Sequence, residues 1–254
     1  MDAGWVKTFD QFTFSETAYF WRWWKEQRGA TRSTFRMLVA EGRVQFAGGG
    51  WVQADEATVD YHQLLDQYTW GPCGTPKAAW QVDTYGHSKE HASLLAQMGF
   101  DGLFIVEKQA KYYEHDNIMV TMGGDFTYQS AANWFMNIDK LINHVTSHSA
   151  NMSDINIFYS TPSCYLKAIY LHGRRDKTLY TEMNDHLPYG SDINTYWTGF
   201  YTSRPSFKYF VKKAHAFLQE LVNSTVLTPT WGGRRSKNNQ HFVVCHQLNI
   251  SQCR

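Results

Sequence analysis

Apolar and polar positions form alternating blocks along this chain, and their spacing predicts an α/β protein. In six blocks the apolar side chains recur every three or four residues, which is the period of an amphipathic helix. These blocks are "ETAYFWRWWKEQRG", "TRSTFRMLVAEG", "EATVDYHQLLDQYTWG", "SKEHASLLAQMG", residues 131–148 and "SFKYFVKKAHAFLQELVN". Short apolar runs between them predict strands: "RVQFAGGGWV", "AAWQV", "DGLFIV", "NIMVTMG" and "INIFYSTP". This order is typical of a mostly parallel sheet with crossover helices.

Local residues refine the predicted helices. Gly29 and Gly42 are interpreted as the ends of the first two helices, and Asp55 as the N-cap of the third. The final helix carries an apolar face that we expect to pack on other helices. Its members are Phe207, Phe210, Val211, Ala214, Phe217, Leu218 and Leu221.

Composition narrows the class of protein. The chain has 254 residues, of which 43% are hydrophobic, enough for one large domain with a sizeable core. Its net charge of +1, with Lys and Arg scattered, disfavours nucleic acid and anionic membranes as partners. No apolar stretch is long enough to span a bilayer, and the first residues do not form a secretory signal. The oligomeric state is not set by these features.

Cysteines, sequons and aromatic residues point weakly toward a glycosylated, sugar-binding protein. The four cysteines have no CxxC spacing, which argues against a structural zinc knuckle and permits two disulfides. Sequons at Asn151, Asn223 and Asn249 suit a lumenal glycoprotein. Aromatic residues make up 16% of the chain, and flat aromatic faces pack against the apolar face of a sugar, although an aromatic core is the simpler explanation.

Acidic residues stand beside apolar runs at three positions. Asp83 follows "AAWQV", Asp125 follows "IMVTMGG", and Asp2 begins "DAGWVKTF". The carboxyl ends of parallel strands share one face, so we expect Asp83 and Asp125 to converge on one cleft. Two facing carboxylates are what glycoside hydrolysis requires. The alternative role for acids at strand ends is to cap a following helix or to bind solvent.

Six longer motifs carry a resemblance to a known family. They are "DAGW", "FAGGGWVQADEA", "AAWQVDTYGHSKEHASLLAQMGFDG", "VTMGGDFTY", "YSTPSCYL" and "YWTGFYTSRPSFK". Their wording and order resemble the α-mannosidases of glycoside hydrolase family 38, most closely the lysosomal branch, and the resemblance extends to about Leu221. It implies part of a seven-stranded, mostly parallel β/α barrel followed by the start of a helical bundle.

The family resemblance also implies a function and roles for individual residues. The implied reaction is zinc-dependent, retaining removal of terminal α-D-mannose from N-glycans and other mannose-containing oligosaccharides, in the lysosome. By resemblance Asp83 is nucleophile and zinc ligand, and Asp125 is the general acid and base. Asp2 is a second zinc ligand, and Trp5 and Tyr85 contact the sugar. From their place on the turn and helix after Asp83, His87 and His91 are interpreted as core or loop-bracing residues rather than metal ligands.

Several family features are absent from this sequence. Two of the four zinc ligands of the family, both histidines, have no counterpart here. The joins after "FDQ" and after "GFDGLFIV" are shorter than in the family. We expect residues 1–195 to be a partial catalytic domain, 196–228 the beginning of a helical middle domain, and 229–254 a linker and divergent tail. The alternative function is a non-catalytic, glycan-binding or inert relative that cannot hold zinc.

Overall fold

The computed structural model describes residues 11–69, 75–83, 85–105, 117–147, 155–173, 181 and 183–227. Its first part is an α/β unit in which two helices connect two parallel strands. The elements are β1 (Phe12–Phe14), α1 (Thr17–Glu26), α2 (Gly29–Ala40) and β2 (Val44–Phe46). The strands pair in register, with Phe12 opposite Val44 and Phe14 opposite Phe46.

An aromatic core holds this first unit together. Phe20 of α1 is only 1% exposed. Its ring centroid lies 5.1 Å from that of Phe35 and 4.9 Å from that of Phe46. Trp24 and Val39 are buried in the same cluster. The three-to-four-residue apolar period of "ETAYFWRWWKEQ" and "TRSTFRMLVAEG" is what turns these side chains toward one another.

A second parallel strand pair follows, and Asp83 lies just after its first strand. Its elements are α3 (Tyr61–Thr69), β3 (Ala78–Gln81), α4 (Lys89–Gln97) and β4 (Gly102–Ile105). The side chain of Ser88 accepts a hydrogen bond from Glu90 N and so caps α4, whose Leu94 and Leu95 are buried. One backbone hydrogen bond, from Gly48 N to Ala78 O at 2.8 Å, connects the loop after β2 with the start of β3.

The remaining described elements are mostly helical. They are a 3-10 helix (Thr127–Ser130), α5 (Ala131–Ser147), α6 (Pro162–Gly173), β5 (Gly190–Asp192), β6 (Thr195–Tyr196), α7 (Gly199–Thr202) and α8 (Pro205–Leu227). Tyr165 of α6 packs on Phe104 of β4 with centroids 6.0 Å apart. Helix α8 is tied to α3 through Asp66, whose carboxylate lies 2.7 Å from His215 Nε2.

The α/β class is confirmed, with three two-stranded sheets in the described part of the chain. A complete seven-stranded barrel stays a prediction. Two predicted strands, "NIMVTMG" and "INIFYSTP", are wrong: within the described part of the chain neither segment forms a strand, and Val120 of the first is 70% exposed. Gly29 begins α2 rather than ending α1, whereas Gly42, with φ of 73°, follows α2 as expected.

Two further expectations about helices are corrected. Asp55 caps a turn, accepting hydrogen bonds from Ala57 N and Thr58 N, and α3 begins only at Tyr61 after Asp60. The apolar face predicted for α8 is largely solvent-exposed, with Phe210 67% exposed. None of the helices that the structure describes is both long and apolar enough to cross a bilayer.

Candidate active site

Asp83 lies where β3 ends, and a side chain from another loop fixes its backbone. The strand closes at Gln81, and Asp83 follows in an exposed bend. Its backbone N–H donates to Gln53 Oε1 at 3.3 Å, and Gln53 belongs to the loop between β2 and α3. Asp83 therefore presents a solvent-accessible carboxylate on an anchored backbone. The residue that caps α4 is Ser88 and not Asp83.

Tyr85 forms an aromatic platform two residues further along. Its ring is stacked on Trp197, with centroids 4.3 Å apart and planes inclined by only 3°. Tyr189 and Phe200 lie at the edges of the stack, with centroids 6.2 Å and 6.3 Å from that of Tyr85. Because Tyr85 and Trp197 remain 44% and 40% exposed, this platform is open to a ligand beside Asp83.

A buried carboxylate, Glu56, organises the turn that carries these residues. Glu56 Oε2 lies 2.7 Å from His87 Nδ1, and Oε1 accepts a hydrogen bond from Ser88 N at 3.1 Å. Oε1 is also 2.8 Å from His91 Nδ1, which makes an ion pair when that ring is protonated. Gln81 Nε2 bridges Glu56 Oε2 and Ala54 O at 3.4 Å and 3.0 Å.

These contacts set the charge state of the buried groups. Burial by itself raises the pKa of Glu56, but the hydrogen bonds from His87 and His91 outweigh it and lower that pKa to about 2. Burial, reinforced by the charge on Glu56, raises the pKa of Tyr68, whose hydroxyl lies 3.1 Å from His91 Nε2. Glu56 is thus an anion and Tyr68 a neutral partner at ordinary pH.

A third segment covers the outer side of the same turn. The backbones of His87 and His186 exchange two hydrogen bonds, of 3.1 Å and 2.8 Å, and Asp185 Oδ1 accepts from Lys89 N at 2.7 Å. Gly86, with φ of 103°, lies against Leu187, and a Cβ at position 86 would collide with the Leu187 side chain. Only glycine satisfies both the left-handed backbone and this close approach.

The structure brings together some of the sequence-predicted residues and not others. Asp83 and Tyr85 share one turn, whereas Asp125 is exposed in a separate tight turn where Thr127 N donates to Gly124 O. The predicted convergence of Asp125 on Asp83 stays a prediction. Asp2 and Trp5 lie outside the described residues. His87 and His91 brace the turn through Glu56, which agrees with the interpretation from the sequence.

Sequence reasoning missed Glu56, Gln53 and Trp197. Glu56 follows Asp55 in "QADEA", and Asp55 alone was interpreted as a capping acid. The available signal is the spacing of His87 and His91, which places two imidazoles on one side of a helix start. Imidazole rings near a core need hydrogen-bond partners, and in this structure Glu56 contacts both rings.

The described residues do not by themselves form a zinc site. Among the ranges that the structure describes, no group of three or more His, Cys, Asp or Glu side chains is arranged to hold a metal ion. Asp83 is the single expected ligand within those ranges, and zinc in proteins is held by four ligands or by three and a water.

Comparison with known proteins places these motifs in a family. The family described as "Glycosyl hydrolases family 38 N-terminal domain" matches residues 6–107 and 104–192. The lysosomal alpha-mannosidases of Cavia porcellus and Homo sapiens are 31% and 30% identical over 299 residues, covering 82% of this chain and 29% of each relative. The alpha-mannosidase of Canavalia ensiformis is 28% identical over 330 residues, covering 95% of this chain and 32% of its own length.

The matches show what share of each relative's length corresponds to this chain. The chain spans about three-tenths of the length of the curated relatives it matches. The alignments extend over more positions than this chain contributes, and the family match is split at residues 104–107. That is where the sequence predicts a join shorter than in the family. The two matched parts together cover most of the sequence. The chain therefore belongs to glycosyl hydrolase family 38, as part of its N-terminal domain.

Proposed function

We propose that this chain is part of an α-mannosidase, a glycoside hydrolase that removes terminal α-linked mannose from oligosaccharides. Family membership and the names of the alpha-mannosidase relatives support this assignment. The structural observation that carries it is the exposed Asp83 carboxylate, held at a strand end next to the open stack of Tyr85 and Trp197. A carboxylate beside an aromatic platform suits attack on a sugar ring bound over that platform.

The proposed reaction is a double displacement with retention at the anomeric carbon. An oxygen of Asp83 attacks C1 of mannose while the bond from C1 to the glycosidic oxygen breaks, and Asp125 transfers its proton to that oxygen. Water then attacks C1 of the glycosyl ester, Asp125 takes the proton, and Asp83 leaves as a carboxylate. This chemistry requires the two carboxyl groups to stand about 5–5.5 Å apart when substrate is bound.

Zinc dependence is a further part of the proposal. The resemblance implies Asp83 and Asp2 as its ligands, and of these two only Asp83 lies within the described residues. When bound, zinc would polarise and orient sugar hydroxyl groups. Elemental analysis of the purified chain tests this point: about one zinc per chain supports it, whereas turnover without zinc contradicts it. A lysosomal location is proposed on the names of the animal relatives alone.

The test of the function is hydrolysis of an aryl α-mannoside by the wild-type chain and by Asp83→Asn. We expect the variant to lose nearly all turnover while its circular dichroism spectrum stays unchanged, because Asp83 is exposed. The matched control is Asp101→Asn, which alters a surface carboxylate paired with Lys77 at 3.2 Å. Full activity in Asp83→Asn would remove Asp83 as nucleophile, and a wild-type chain without turnover would favour a glycan-binding or inert relative.

A further inference from the structure

Gln53 and Glu56 hold the turn from Asp83 to Ser88 by hydrogen bonds, and the family resemblance gives neither of them a catalytic role. The hydrogen bonds are at the two ends of the turn. Gln53 Oε1 accepts a hydrogen bond from Asp83 N at the start. Glu56 accepts from Ser88 N and contacts His87 at the end. Tyr85 lies between these two attachments.

The first attachment is itself fixed from behind. Gln53 N donates to Glu16 Oε1 at 3.0 Å, so the loop bearing Gln53 is tied to the start of α1. Glu16 has φ of 46°, in the left-handed region that non-glycine residues seldom adopt. Strained backbone of this kind persists only where surrounding contacts enforce it, and it is concentrated at functional sites.

The second attachment is buried. The side chain of Glu56 is 0% exposed and that of His87 is 12% exposed. Gln81, on the strand that leads into Asp83, donates to the same Glu56 carboxylate at 3.4 Å. Glu56 therefore connects the strand before Asp83 with the helix start after it.

We propose that Gln53 and Glu56 are positioning residues that hold the Asp83–Ser88 turn in the geometry needed for attack by Asp83. The inference rests on the proposed function, since it gives Asp83 the role of nucleophile. Neither residue touches the sugar in this proposal; each acts through the backbone of the turn. A displacement of about 1 Å at a reacting group costs on the order of a hundredfold in rate, so anchors of this type control kcat more than substrate binding.

The first test uses a pair of variants at Gln53 that differ in one property. Gln53→Met keeps the length of the side chain and removes the acceptor, whereas Gln53→Glu keeps an acceptor oxygen for Asp83 N. We expect Gln53→Met to lower kcat by about tenfold with KM changed less than about twofold, and Gln53→Glu to retain more of kcat. If Gln53 were only structural, both variants would contain less active protein, and Gln53→Glu would not retain more of kcat than Gln53→Met.

The second test measures the turn directly and needs no activity. Amide hydrogen exchange of a peptide covering residues 82–88 is followed by mass spectrometry in wild type, Gln53→Met and Glu56→Gln. We expect exchange in this peptide to be about tenfold faster in both variants, with residues 131–147 of α5 unchanged. Glu41→Gln is the control, because Glu41 is an exposed carboxylate 3.7 Å from Arg43.

The outcomes separate this inference from the proposed function. Unchanged exchange at residues 82–88 in both variants overturns the inference, and so does faster exchange with unaltered kcat. A wild-type chain no more active than Asp83→Asn overturns the proposed function instead. In that case the exchange rates still decide whether Gln53 and Glu56 hold the turn.

Discussion

Tyr85 and Trp197 are stacked face to face with ring centroids 4.3 Å apart, although 111 residues separate them in the sequence. The stack joins the turn after β3 to the segment that leads into α7. The family resemblance predicts that Tyr85 contacts the sugar, and the structure shows that the Tyr85 ring is stacked on Trp197. The platform beside Asp83 is therefore built from two distant parts of the chain.

Removing Trp197 tests the platform. We expect Trp197→Ala to raise KM for an aryl α-mannoside by about three- to tenfold, because an aromatic pair contributes about 0.5–1.5 kcal/mol. Steady-state kinetics is the measurement. Phe207→Ala is the control, since Phe207 is also an exposed aromatic residue but belongs to α8. Equal KM values in Trp197→Ala and wild type would show that substrate does not use the stack.

Replacing Asp125 tests its role as general acid. We expect Asp125→Asn to slow hydrolysis of an alkyl mannoside or an oligomannoside by about 10²–10⁴-fold, and that of an aryl mannoside with a good leaving group much less. The reason is that only a poor leaving group needs a proton as the bond breaks. Comparison of kcat/KM for the two substrate types is the measurement. An equal loss on both would assign Asp125 a structural role.

Acid should weaken the fold through Glu56. The pKa of Glu56 is lowered from 4.5 to about 2 in the folded chain, so its stabilising effect is fully present above about pH 4.5. It is lost as the pH falls toward 2, and the loss is about 3 kcal/mol in the free energy of unfolding. Urea unfolding at a series of pH values between 6 and 2 measures it.

The control for this pH dependence is Glu56→Gln, which cannot ionise. We expect the variant to be less stable than wild type at pH 6, because it lacks the charge that pairs with His87 and His91. The difference in unfolding free energy between the two proteins should shrink as the pH falls below 4.5. A difference that stays constant down to pH 2 would contradict the low pKa.

Two phenylalanines of similar sequence context should respond very differently to truncation. Phe20 is 1% exposed and Phe210 is 67% exposed. Phe20→Ala should cost about 3–5 kcal/mol of unfolding free energy through lost burial and a cavity, whereas Phe210→Ala should stay within about 0.5 kcal/mol. Urea titration of both variants is the measurement. A large loss for Phe210→Ala would mean that the apolar face of α8 is covered in solution.

Helical periodicity predicts α1 to α5 and α8 but not α6, and three of the five apolar runs are strands, namely β2, β3 and β4. The buried Leu94 and Leu95 of α4 follow from helical spacing, since burial of an amphipathic face is decided mostly by local order. By contrast, the runs around Val120 and Phe158 resemble strands, but a strand also needs a partner of matching register. That partner is a property of distant sequence, which a local pattern does not contain.

Only part of the candidate site could be predicted from the sequence. Asp83 and Tyr85 are predicted because the family resemblance gives each of them a role. Gln53, Glu56 and Trp197 also lie in the quoted motifs, but what distinguishes them is contact with residues that are 30 or more positions away. A side chain that acts through tertiary contacts has no spacing signal of its own.

The wide separation of Tyr85 and Trp197 also constrains the order in which the chain acquires its structure. Gln53 and Glu56 are 30 and 32 positions from Asp83 and Ser88, so their contacts require closure of a loop of about thirty residues. The stack of Tyr85 on Trp197 and the bridge from His87 to His186 require a loop of about a hundred residues to close. During synthesis from the N-terminus the contacts of Gln53 and Glu56 with the turn that begins at Asp83 can therefore form before Tyr85 stacks on Trp197.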